Sequence, residues 1–178
     1  AILDSSGEEI WILSRRDLDN HVLLSRLVLQ TGTVTTQELS DAGQDWANGA
    51  LAATADRVYA GWGDHLFSIR KSDATSESVK TPWADAGDGQ TGRLVSMVAS
   101  DSHVWVAVWG EMALRQFDVQ TGEWSLATMT PAPIDGFVSL GVISGTAEVF
   151  TADARSLPGP HPGQQLVISD SAAQIIGD

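Results

Sequence analysis

The chain has 178 residues, no cysteine and a formal charge of −13, from 23 acidic against 10 basic side chains. That length buries a core without help from metal or disulfide, and the missing cysteine removes disulfide frameworks, thiol catalysis and sulfur-ligated zinc. The charge opposes a nucleic-acid partner: a polyanion is repelled, and no Lys/Arg stripe interleaved with aromatics offsets that field.

Taken in chain order, the sequence repeats itself. The first apolar burst, Glu9-Ile10-Trp11-Ile12-Leu13, follows a short run at Ile2-Leu3 and a polar turn at Ser5-Ser6-Gly7. A third run, Leu27-Val28-Leu29, leads into the turn Gln30-Thr31-Gly32 and a more polar fourth run from Thr33 to Leu39. The same order returns with Gly49 to Ala53, the turn Thr54-Ala55-Asp56, the burst Arg57 to Gly63, then Phe67-Ser68-Ile69, Ser72-Asp73-Ala74 and Glu77 to Lys80. It returns again with Leu94 to Ala99, Ser100-Asp101-Ser102, His103 to Gly110, Phe117-Asp118-Val119, Gln120-Thr121-Gly122 and Glu123 to Met129. A fainter copy holds Phe137 to Ile143, Ser144-Gly145, Thr146 to Thr151, Leu166 to Ile168, Ser169 to Ser171 and Gln174 to Ile176. Ile10, Val58 and Val104 recur at a spacing of roughly 46 to 48 residues, the mark of a repeat architecture.

Four short strands per unit, with turn signals between them and no 3.6-residue periodicity, predict an all-β chain. The burst Val104 to Trp109 is apolar on both faces, whereas a sandwich strand with one wet face alternates. An inner strand pressed between neighbouring sheets meets that demand, and the polar fourth runs suit a protected outer edge. The expected fold is a β-propeller of about four four-stranded blades, 1–40, 41–83, 84–131 and 132–178, forming one domain, either a closed small ring or part of a larger one. A β-sandwich is the alternative, explaining the strand count but not the period, and a parallel solenoid has shorter coils. Val106 is placed at the centre of a blade, where an aspartate prevents folding, and Gly32 and Gly122 are placed in equivalent turns at positive φ.

At Phe117-Asp118-Val119-Gln120-Thr121-Gly122-Glu123-Trp124 the chain resembles the blade motif of quinoprotein-like and WD40-like propellers. In that family an Asp, a Thr-Gly turn and a downstream Trp lock one blade onto the next. Asp118, Thr121 and Gly122 match the pattern, and Gln30-Thr31-Gly32 is a partial second copy. Trp124 follows Glu123 directly instead of lying further along, and the second and fourth units lack the Thr-Gly. The resemblance implies fold and not activity, because propellers host enzymes, adaptors and scaffolds alike.

Three histidines, His21, His65 and His161, fall between the second and third runs of their units, on one rim of a propeller, where imidazoles could hold a metal. Against this, their loops differ in length, no carboxylate sits at a fixed offset from each, and His161 lies in a proline-rich loop. The loops Asp41-Ala42-Gly43-Gln44-Asp45 and Asp85-Ala86-Gly87-Asp88-Gly89-Gln90 belong to that same rim, and their carboxylates and glycines are what calcium sites use, although Asp/Gly runs are also ordinary turns. Of seven tryptophans, Trp11 and Trp105 are equivalent to Tyr59, and Trp62 to Trp109, so they read as core. Trp46 and Trp83 sit between units beside the acidic loops and are the aromatic candidates for a ligand.

No nucleophile elbow, Walker loop or dinucleotide fingerprint is present in the sequence. The expected function is therefore a non-catalytic binding or assembly module presenting a propeller face to a protein partner. The rival is a propeller-type enzyme, a quinoprotein or a metal-dependent lyase or lactonase, with an axial site. The uncharged stretch Gly136 to Ala147 is too short and too interrupted to cross a bilayer as a helix, so no membrane span is expected. The opening Ala1-Ile2-Leu3-Asp4 has no basic or apolar leader. This suggests a processed or partial chain, secreted or periplasmic, whose open blade faces a second copy, another subunit or the rest of a precursor covers.

Overall fold

The computed structural model describes residues 1–3, 6–16, 21–39, 49–82, 94–108, 114–127, 129–130, 148–149, 165–169 and 172–176, and among them every regular element is a strand. The chain divides into two compact units, Ala1–Ala84 and Asp85–Asp178.

The first unit holds two four-stranded antiparallel sheets, each an up-and-down meander. Strands β1 (Ile2–Leu3), β2 (Glu9–Arg16), β3 (His21–Val28) and β4 (Thr33–Leu39) form the first; β5 (Ala50–Ala53), β6 (Arg57–Trp62), β7 (His65–Arg70) and β8 (Ser76–Lys80) form the second. The two share one core, in which Trp11, Val22, Leu24 and Leu39 pack with Leu51, Val58, Ala60, Phe67 and Ile69. Gly49 leads into β5 at their contact: a Cβ there would stand 2.5 Å from both Leu13 Cδ2 of the first sheet and the Trp62 ring of the second, so only glycine fits.

The second unit holds a third meander sheet of the same order, β9 (Leu94–Ala99), β10 (His103–Val108), β11 (Leu114–Asp118) and β12 (Trp124–Ala127). A fourth sheet contains β13 (Met129–Thr130), β14 (Glu148–Val149), β15 (Gln165–Ser169) and β16 (Ala172–Ile176), in the order β13-β16-β15-β14. Here β13 lies parallel to β16. Met129 thus leaves the third sheet, in which the sequence reading put it, because β12 stops at Ala127 and the chain crosses to the next sheet. The run Phe137 to Ile143, expected as a strand, lies outside the described residues.

Strand pairing confirms the repeat register in three sheets. Ile10 pairs with Leu27, Val58 with Ile69 and Val104 with Phe117, and the next residue along each second strand is Trp11, Tyr59 or Trp105. Trp109, matched with Trp62 in the sequence, lies outside the described residues; the register shift beside it falls on β9, where Ser96 and Leu94 pair with the consecutive residues Ala107 and Val108. The second strands β6 and β10 are buried at every position after their first residue, including Val104, Val106 and Tyr59, as a strand covered on both faces requires. β2 differs, since Trp11 is buried while Ile12 is 39% exposed.

The turns between third and fourth strands repeat to the atom. The Gly32 N–H donates to Val28 O at 2.8 Å, Ala74 N–H to Arg70 O at 2.9 Å and Gly122 N–H to Asp118 O at 2.9 Å. All three residues sit at positive φ: 69° at Gly32, 73° at Gly122 and 59° at Ala74. The glycines were expected there; Ala74 was not, because the second unit lacks the Thr-Gly pair. Left-handed backbone crowds the alanine Cβ against the following carbonyl by roughly 1–2 kcal/mol, and glycine's freedom in the unfolded chain returns about 0.4–1 of it. Ala74→Gly is accordingly expected to stabilise the protein by up to about 1 kcal/mol, read as a melting temperature about 2 °C higher, and Gly122→Ala to lower it similarly. A lower melting point for Ala74→Gly would show that this turn carries no strain.

Candidate functional site

Both ends of the described sheets carry polar side chains, and their chemistry differs. At one end, hydroxyls and carboxylates close the tight turns. Thr54 Oγ1 accepts from Arg57 N–H at 3.2 Å, and Ser100 Oγ from His103 N–H at 3.1 Å, at equivalent points of the first hairpins. On the next turn, Asp73 Oδ1 accepts from the hydroxyl and the N–H of Thr75, at 2.7 and 3.0 Å. Asp118 Oδ1 accepts from Gln120 N–H and Thr121 N–H, both at 2.8 Å. The Trp124 ring packs on its cross-strand neighbour Phe117, centroids 5.0 Å apart. In this chain the Asp-x-x-Thr-Gly segment thus fastens its own turn, and Trp124 makes this ring contact within its own sheet.

These bonds hold the Asp118 carboxyl below its ordinary value of 3.8, the Thr121 N–H contributing most, then the Gln120 N–H, with desolvation opposing and His103 adding a favourable charge at 3.7 Å. Thr75, through its hydroxyl first and its N–H second, does the same for Asp73. A carboxyl whose folded pKa is depressed adds stability above its unfolded pKa and loses it as pH falls through the folded one. Asp118→Asn keeps an acceptor oxygen but no charge. The wild type is expected to be the more stable at pH 7, with the difference closing below pH 3.8. A gap unchanged by acid, followed by thermal melts across pH, would show that the charge contributes nothing.

The other end carries His21 and His65. His21 opens β3 opposite Arg16, and His65 opens β7 opposite Trp62, so the strands run further toward the hairpins than the sequence reading placed them. His21 Nδ1 is bonded to Glu38, which Arg16 also approaches at 3.7 Å; His65 Nδ1 lies 2.7 Å from Asp64 Oδ1. Each histidine has a carboxylate of its own, and among the described residues no three His, Asp or Glu side chains gather as a metal site. His161, Asp41, Asp45, Asp85, Asp88, Trp46 and Trp83 lie outside the described residues. The chain leaves for them from Leu39 and Pro82, and it re-enters the second sheet through Gly49, against the Trp62 ring.

Sequence reasoning missed a half-buried ion pair in the first unit. Arg26 lies over the Trp11 ring, 5.7 Å from its centroid, and is paired with Glu9, whose carboxylate also accepts the Trp11 indole N–H at 3.1 Å. Glu9 and Arg26 are two odd-looking charges within apolar runs, and their strand register is the signal that joins them. No described helix is long and apolar enough to cross a membrane.

No protein-family model and no curated protein matches this chain. Solved structures do resemble it. Hydrazine synthase of Kuenenia stuttgartiensis superposes with a TM-score of 0.61 at 15% identity, over 98% of this chain and 46% of that one. Glutaminyl cyclase of Myxococcus xanthus gives 0.52 at 13% identity, over 89% and 66%, and the extracellular domain of a one-component system from B. thetaiotaomicron 0.51 at 16%, over 78% and 18%. The chain thus spans less than two thirds of the length of each. These neighbours have propeller-type folds, and at such identities the likeness concerns fold alone: the chain is an all-β protein with propeller-type structural relatives.

Proposed function

We propose that this chain is a run of β-propeller blades acting as a binding and assembly module, secreted or periplasmic, that presents a sheet face to a protein partner. The observation that carries this is the register repeat: three consecutive meander sheets share one turn design, and the inner strands of two of them are buried on both faces. A β-sandwich has no reason to reproduce the same turn, hydrogen bond by hydrogen bond, in three sheets. The turn carboxylates of Asp73 and Asp118 are engaged in holding backbone N–H groups, a structural use. Extracellular placement is supported by two similar structures, both of the extracellular domain of one B. thetaiotaomicron protein.

The rival is a propeller-type enzyme with an axial cofactor or metal, calcium on Asp41, Asp45, Asp85 or Asp88 included. Metal analysis and an absorbance spectrum of the purified chain separate the two. The module reading expects neither a stoichiometric metal nor a chromophore, and finding either at one per chain overturns it.

A further inference from the structure

β4 is the outer edge of the first sheet, and among the described residues it pairs with β3 alone. Edge strands expose a row of N–H and C=O groups, which proteins blunt with bulges, prolines or lysines. β4 has none of these. Its seven residues, Thr33-Val34-Thr35-Thr36-Gln37-Glu38-Leu39, keep an unbroken register on β3, and Thr33 to Thr36 are exposed on both faces of the strand. The outer strand of the second sheet, β8, is shorter and carries Glu77 and Lys80.

Which groups of β4 point outward follows from the hydrogen bonds of its own sheet. The Leu29 N–H donates to Glu8 O, so Leu29 and every second residue before it turn their backbone groups toward β2, while Val28, Arg26, Leu24 and Val22 turn theirs toward β4. Their partners Thr33, Thr35, Gln37 and Leu39 are thereby engaged. The N–H and C=O of Val34, Thr36 and Glu38 are left directed away from the sheet. We propose that this edge pairs with the same edge of a second copy of the chain, antiparallel, about a two-fold axis between the two Thr36 residues. That register sets Val34 of each copy opposite Glu38 of the other, so all three residues exchange both of their bonds and no outward group is unmatched. An edge that matches itself so completely favours its own copy over an unrelated segment. Like charges stay apart: Glu38 is the strand's one charge, and its two copies are separated along the ladder by the span from Val34 to Glu38, about 13 Å, beyond the screening length of about 8 Å in physiological salt. The Glu38 carboxylate keeps its contacts with His21 and Arg16, because the pairing uses backbone. This deepens the assembly reading, on which it rests, by naming the partner and the edge that meets it.

Sedimentation of the purified chain from about 10 μM to 1 mM tests it, together with hydrogen exchange at the amides of Val34, Thr36 and Glu38. A ladder this short binds weakly, so the wild type is expected to dimerise reversibly toward the upper end of that range, with exchange at the three amides slowing as dimer forms. Thr36→Lys and Thr36→Glu, placed at an exposed position, are each expected to weaken the dimer by about tenfold or more with unchanged circular dichroism, because each sets like charges face to face. Mixed in equal amounts, the two variants are expected to dimerise again. The exchange measurement needs no variant, so it decides even where a substitution disturbs the fold. A wild-type monomer at the highest concentration overturns the proposal: amides already protected then show that the chain covers this edge itself, and unprotected ones leave it to an extended peptide of another protein. A dimer indifferent to the Thr36 variants also overturns it, as do variants that stay monomeric when mixed, since Thr36 then does not face its own copy. None of these results touches the metal analysis or the absorbance spectrum, so the two readings fail separately.

Discussion

Val104→Asp is expected to abolish folding. Val104 has no exposure and sits in β10 between Ala99 of β9 and Phe117 of β11, its cross-strand neighbours. A carboxylate at that point meets only apolar side chains across either ladder. Left ionised it would lose its hydration, and protonated it would still bury a polar group and forgo the valine methyls, a combination costing on the order of 5 kcal/mol, comparable with the whole stability of a domain. The expected result is protein that is insoluble, or soluble with the circular dichroism of a disordered chain. Val106, equally buried, provides the comparison, because its neighbour on β11 is Arg115. Directly opposed residues come within about 5 Å at Cβ, so an aspartate at 106 finds a guanidinium and Val106→Asp is expected to be less damaging than Val104→Asp. Native-like melting of Val104→Asp would mean that β10 is not an inner strand.

The contrast between these two valines shows what the sequence could and could not deliver. Its period and its double-sided apolar bursts identify inner strands, because a strand buried on both faces has no polar alternation to lose. Glycine in Gln30-Thr31-Gly32 and Gln120-Thr121-Gly122 identifies two turns, since positive φ is nearly glycine's own region. Ala74 escaped because an alanine gives no such signal; only alignment of Ser72-Asp73-Ala74 with the two glycine turns would have raised it. Pairings of long reach were also illegible: which strand residue faces Val106, or that Glu9 meets Arg26, depends on register, and register follows from turn lengths that differ between units. The crossing of Met129 into the fourth sheet has the same cause, a pairing far away in sequence. The candidate ligands Asp41, Asp45, Asp85, Asp88, Trp46 and Trp83 were chosen from segments between units, where residue type says least about geometry.

Trp105 is the second position where a large effect is expected. Its indole is 1% exposed, stands between Val98 and Gln116 on the neighbouring strands, and tilts at 36° to the His103 ring with centroids 5.6 Å apart. Trp105→Ala removes the largest of the fully buried side chains and leaves a void that strands held in two ladders cannot close, so about 3–5 kcal/mol is expected to be lost. The phenylalanine variants make the argument sharper. The Trp105 Nε1–H is buried without a hydrogen-bond partner among the described residues, so Trp105→Phe gives up ring volume but also discards an unsatisfied donor. At the equivalent position, Trp11 Nε1–H donates to Glu9, and its ring lies under Arg26. Trp11→Phe forfeits that bond to a charged acceptor and weakens the cation–π contact, for about 1.5–3 kcal/mol beyond the lost volume. Urea melts of both variants are expected to place Trp11→Phe below Trp105→Phe in midpoint with similar slopes, although Trp105 is the more deeply buried. The reverse order would mean that volume alone decides, and that the indole nitrogen of Trp11 has no part in holding Glu9 and Arg26 together.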